Sequence, residues 1–115
     1  AMLKPLAEQG NAKAQSRLGQ MYLEGQGVER NEQEGLRLVR SAANLGDADA
    51  QLRMGGLYEH GRGLAQNNFQ AYVWYSLAVR CGNSAVSAER TRMAGMLQAA
   101  EVQQADKTVA SMKAC

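Results

Sequence analysis

The chain has 115 residues, of which 45% are apolar and 21% charged, with a formal net charge of +2. That length bounds a single domain able to bury roughly two-thirds of the surface its unfolded chain exposes. So small a charge, with no basic run, excludes the footprint of a nucleic-acid binder, and the longest apolar run, Tyr72 to Val79, is far too short to cross a bilayer. Nineteen alanines against one proline and one phenylalanine favour close-packed helices over sheet, since alanine is the best helix former.

Residues 1–9 lack the charged start and apolar stretch of a secretory signal. From residue 10 the chain repeats itself. Residues 10–45 shifted by 36 positions fall on 46–81 with 11 identities, among them Ala14/Ala50, Gln15/Gln51, Arg17/Arg53, Gly19/Gly55, Tyr22/Tyr58, Gly25/Gly61 and Asn31/Asn67. A period of this size marks a stacked array, because one such unit cannot bury its own apolar face. Arrays of this kind usually bind partners.

Each repeat reads as two helices. The first spans about residues 11–24, with Ala14, Leu18, Met21 and Tyr22 at helical spacing, and Gly25-Gln26-Gly27 stops it. Asn31 caps the second, with Glu34 as its capping-box partner, and Leu38, Val39, Ala42 and Leu45 form the apolar face. In the second copy Asp47 caps a helix ending near His60, Gly61-Arg62-Gly63 turns the chain, and Asn67 caps a helix carrying Ala71, Trp74, Tyr75 and Ala78. Gly19 and Gly55 stand mid-helix at one register. Each costs about 0.5–1 kcal/mol relative to alanine, so a neighbouring helix must come close there. Beyond Gly82 the pattern degrades into a divergent pair over 82–115: residues 84–97 with Ala85, Ala88, Met93 and Met96, then 99–113 with Val102, Ala105, Val109 and Met112. This pair reads as a C-terminal cap with a polar outer face.

The string Ala-x-Ala-Gln-x-x-Leu-Gly-x-x-Tyr-x-x-Gly-x-Gly-Val at 12–28 resembles the Sel-one-like repeat (SLR), a helix-pair relative of the tetratricopeptide repeat. The second copy has Met54 for the leucine and Leu64 for the valine; Ala71-Tyr-Val-Trp-Tyr-Ser-Leu-Ala matches the family's aromatic second helix, whereas repeat one has Gly35 and Leu38 where alanine and tryptophan are usual. The resemblance implies an all-α fold, an α-solenoid of stacked antiparallel helix pairs with two SLR units and a divergent C-terminal pair. It further implies an adaptor or scaffold binding a protein or peptide through a concave groove lined mainly by first helices. Residues 1–9 resemble the end of a preceding second helix, and bacterial members with such a beginning are commonly exported, which favours a periplasmic or secreted location.

No catalytic constellation stands out, and no cofactor is called for. His60 is the sole histidine, too few ligands for a zinc site of the usual type; it reads as a helix-end residue or a groove contact. Gly25-x-Gly27 and Gly61-x-Gly63 follow helices, not the strands a phosphate loop requires. Some cysteine-rich relatives are described as penicillin-binding or penicillin-hydrolysing, but the regularly paired cysteines and a Ser-x-x-Lys motif are missing here. Cys81 and Cys115 fall at the same end of the stack if helices alternate direction, which makes a disulfide geometrically possible. The competing reading, a buried small hydrophobe and a frayed tail, is the one favoured by sequence. A spacer inside a longer array is the remaining alternative to an adaptor.

Arg17 and Arg53, one repeat apart, are the leading partner-binding candidates, able to hold carboxylates or carbonyls by forked hydrogen bonds. Gln20 lies one turn from Arg17 on a similar face. In the aromatic cluster, Trp74 is expected in the core, leaving Tyr72 or Tyr75 partly exposed as a binding anchor.

Overall fold

The computed structural model describes residues 10–113 and residue 115. The expected helix end at residues 1–9 lies outside them. The repeat is reproduced to the residue: α1 is Ala12–Glu24, α2 Glu32–Asn44, α3 Ala48–His60 and α4 Asn68–Arg80, each 13 residues long. A short 3-10 turn, Ser84–Val86, leads into α5 at Ser87–Ala94, and α6 follows at Ala99–Ser111.

Local chemistry sets these boundaries. Asn11 and Asp47 accept from the backbone N–H of Ala14 and Ala50 at 3.0 Å each, and Asn31 and Asn67 do the same for Glu34 and Gln70, so each start has its orphan donor satisfied. The exits of α1 and α3 are left-handed glycines, Gly25 at φ 70° and Gly61 at φ 66°, where a Cβ would be strained. The capping box expected at Asn31 does not form. Its N–H is already taken by the Tyr22 carbonyl at 2.8 Å, as that of Asn67 is by Tyr58 at 2.9 Å, and the Glu34 carboxylate turns instead to Arg37. The box occurs at α6, between Gln98 and Glu101.

α1 packs on α2 and α3 on α4, and α2 and α3 join the two pairs; α4 also carries α5 and α6. The result is an α-solenoid of stacked helix pairs, two repeat units plus a divergent terminal pair. Gln51, fully buried, donates from Nε2 to the Ala43 carbonyl at 3.0 Å and ties the second unit to the first. Both mid-helix glycines are places of close approach. A Cβ on Gly19 would come within 2.7 Å of Val39 Cγ2 and 2.9 Å of the Gly35 carbonyl; on Gly55 it would lie 2.6 Å from the Tyr75 ring.

Three expectations about burial change. Leu45 is 56% exposed, because the chain leaves the helix there as the C-cap of α2. In the terminal pair Val86 and Met93 are buried, while Ala85, Ala88 and Met96 face outward; a 3-10 turn has three residues per turn, so it rotates the face away from a continuous α-helical phase. The sulfurs of Cys81 and Cys115 form a disulfide, with Cα atoms 5.6 Å apart, in place of the buried thiol and frayed tail. Beside it Arg80 donates to the carbonyls of Val109 at 2.6 Å and Met112 at 2.7 Å, which caps the end of α6 with a cation where its dipole is negative.

Candidate functional site

α1 and α3 stand side by side and bring together the three polar candidates, Arg17, Gln20 and Arg53. Two adjoining hollows lie between these helices. The first, about 220 Å³, is polar and lined by Lys13, Ser16, Arg17, Asp47, Asp49 and Arg53. The second, about 190 Å³, has apolar walls from Leu23 and Leu57 and a rim that includes Gln20, Glu24, Arg53 and Arg62. Arg53 belongs to both, because it sits between the two on the face of α3 that looks toward α1. His60, exposed at the helix end, is on the rim of the apolar hollow.

The charges of these groups are not spent within the fold. Among the described residues no carboxylate lies within ion-pairing distance of Arg17 or Arg53. Arg17 is exposed, whereas Arg53 is half-buried and its Nε, shielded from solvent, has no acceptor. Asp47 is committed to capping α3, and Gln20 donates to Glu24 at 3.3 Å along its own helix.

The tyrosines take a different place from the one expected. Tyr72 is 1% exposed and Tyr75 3%, so neither is a surface anchor. Successive helix residues are about 100° apart, so three near-consecutive aromatics cannot share one face, but α4 has no free face: residues 71 to 78 are all buried, covered by α3, α5 and α6. Trp74 is in the core at 8%. The hydroxyl of Tyr75 donates to Glu59 at 2.7 Å, and burial, reinforced by that bond, holds its phenol well above the usual range. Glu59 is gripped from the other side by Arg92 of α5, and this hydrogen bond from Arg92 depresses its carboxyl against the opposing effect of burial. Tyr72 donates to Asp106 at 2.7 Å and accepts from Arg90 at 2.8 Å. Burial is again the main cause that raises its phenol, and the Arg90 guanidinium lies 5.1 Å from its ring centroid, a cation–π distance. The aromatic helix therefore fastens the terminal pair.

A family model described as the Sel1 repeat matches residues 12–47 and 48–83. The chain belongs to the Sel1 repeat family. Sel1 repeats generally serve protein–protein interaction. Among solved structures, a protective antigen of uropathogenic Escherichia coli displaying an SLR fold aligns with TM-score 0.87 and 30% identity, over 93% of this chain and 23% of its own length. A Sel1 repeat protein from Oxalobacter formigenes aligns with TM-score 0.74 and 35% identity, over 76% of this chain and 36% of its own. This chain thus spans about a quarter to a third of those proteins. Comparison with curated proteins finds no match.

Within the Sel1 frame, sequence reasoning missed the apolar hollow and Gly56 beside it. Leu23 and Leu57 belong to the helical pattern and to the core; the hollow they also line borders Gly56, which has no side chain, and an absence has no periodicity. Among the described residues no helix is long and apolar enough to cross a membrane.

Proposed function

We propose that this Sel1 segment is an adaptor module that holds a protein partner along the face formed by α1 and α3, with Arg17, Gln20 and Arg53 as its polar contacts. The observation that carries this reading is the pair of arginines at one register, side by side and unpaired with any carboxylate of the described residues. Arginines that stabilise a fold are normally matched, as Arg90 and Arg92 are here. Two unmatched forks one repeat apart suit carboxylates or backbone carbonyls of an incoming chain. The Cys81–Cys115 disulfide supports work in an oxidising compartment, where such bridges persist.

Affinity capture from envelope and cytosolic extracts tests the reading, with wild type run against Arg17→Glu combined with Arg53→Glu. Neither arginine makes an intramolecular ion pair among the described residues, so the variant keeps its fold and its melting temperature within a few degrees. A partner captured by wild type and lost by the variant is the expected result. Equal capture of a partner would return the arginines to ordinary solvated surface and place the contacts elsewhere, and no capture by either protein would leave a spacer as the better description.

A further inference from the structure

The two glycines at the centre of α3 have different reasons to be there. Gly55 is required by packing, since a Cβ would sit 2.6 Å from the Tyr75 ring. Gly56 is not. A Cβ there would find only the Tyr75 hydroxyl, at 3.8 Å, an ordinary contact, and its φ is not in the left-handed region. A glycine inside a helix weakens it, and at Gly56 neither the fold nor the backbone asks for that weakness. What Gly56 does provide is space: it lines the apolar hollow, at the place where its counterpart in repeat one, Gln20, carries a side chain.

Resting on the adaptor reading above, we infer that this hollow is a socket for one apolar side chain, of leucine or methionine size, from a partner segment that carries a carboxylate beside it. The size argues for a single side chain. About 190 Å³ is below the roughly 300 Å³ at which pockets for whole small-molecule ligands begin. Leu23 and Leu57 give the socket apolar walls, so an inserted methyl or thioether group exchanges water for dispersion contacts. Charge picks the neighbour. Arg53 and Arg62 stand at the rim against the single carboxylate of Glu24, which is already engaged by Gln20. Arg53 is the stronger of the two for recognition, because its side chain is half-buried and meets no carboxylate of the described residues. A cation in that condition gains more from an arriving carboxylate than a fully hydrated one does.

The test uses residues 1–115 and an array of N-acetylated, C-amidated octapeptides, free of terminal charge. The central residue is Leu, Met, Ala or Ser, and its neighbours are Glu, Gln or Lys. Wild type should retain Leu and Met peptides flanked by Glu at least tenfold better than their Ala-centred and Gln-flanked counterparts. Gly56→Met, whose side chain reaches into the socket, should erase that preference. Gly56→Ala should melt above wild type, which shows that position 56 is free of a packing constraint and separates loss of binding from loss of fold. Methyl resonances of Leu23 and Leu57 should shift on adding a retained peptide.

Several results overturn the socket. Absence of any retained peptide, indifference to the central residue, or a Gly56→Met profile matching wild type would each do so. A wild-type dimer in sedimentation that Gly56→Met dissolves would also do so, with a second copy as the occupant. The two readings stay separable. A captured partner lost on Arg17→Glu with Arg53→Glu, but retained by Gly56→Met, keeps the adaptor and removes the socket. Capture that survives the double charge reversal removes both.

Discussion

The two Sel1 repeats share their helix bounds and N-caps to the residue, yet they close their helix pairs with different chemistry. In repeat one Gly19 and Gly35 face each other so closely that a Cβ on either would lie 2.9 or 2.8 Å from the other's carbonyl oxygen, and Leu23 and Val39 fill the space alongside. In repeat two the matching positions hold Gly55, Ala71, Glu59 and Tyr75. The Tyr75 ring covers Gly55 and its hydroxyl bonds Glu59, which in turn grips Arg92 of the terminal pair. An apolar seam thus suffices inside a unit, while the polar one also reaches out of it. The largely enclosed Glu59 carboxylate needs donors, and Tyr75, standing where repeat one has Val39, supplies one while Arg92 supplies the other.

Removal of the residue on which the polar seam hangs should have the largest effect. Tyr75→Ala deletes a buried ring and leaves Glu59 short of a donor, and truncation of a large buried aromatic costs about 3–5 kcal/mol. Val39→Ala, at the same register of repeat one, removes only two methyl groups and should cost clearly less. Urea unfolding of both variants would measure this, and equal losses would mean that the second seam contributes nothing of its own.

Steric intrusion comes next. Gly19→Leu and Gly55→Leu should each destabilise by about 1–3 kcal/mol through overpacking, more than the roughly 0.5–1 kcal/mol of helix propensity regained. Gly19→Leu should be the worse, because part of what it meets is the Gly35 backbone oxygen, and main chain gives way less readily than a ring. Unchanged melting temperatures for both would sink the close-approach account of these glycines.

The sequence makes repeats, caps and glycine exits legible because each is local: a cap needs only residues three apart, and Asn11, Asn31, Asp47 and Asn67 all fill that role. What depends on a distant neighbour escapes it. The missing box at Asn31 turns on the Tyr22 carbonyl across a loop. The burial of Tyr72 and Tyr75 turns on a terminal pair whose phase the 3-10 turn alters. The disulfide requires Cys115 to return beside Cys81 across 34 positions. Of the candidate site, Arg17, Gln20 and Arg53 are legible through repeat register. The apolar hollow that Gln20 and Arg53 border is not, since it lies beside Gly56, which has no side chain to read.

The smallest effect should sharpen the comparison most, because it responds to pH. The Arg92 hydrogen bond holds the Glu59 carboxyl below its ordinary range, so the folded state binds its proton less tightly than the unfolded chain. The contribution is therefore fully present above the unfolded pKa, about 4.3, and is lost as pH falls through the lower folded value. Glu59→Gln should melt below wild type at pH 7, and the gap should close as the pH is lowered past 4. Leu23→Ala, at the same register of repeat one, should show a deficit that does not change over that range, since no titrating group is involved. A Glu59→Gln deficit equally flat with pH would mean that the charge Arg92 meets adds no titrating stability, and no deficit at all would assign the value of Glu59 to its bond with Tyr75, which a glutamine oxygen can also accept.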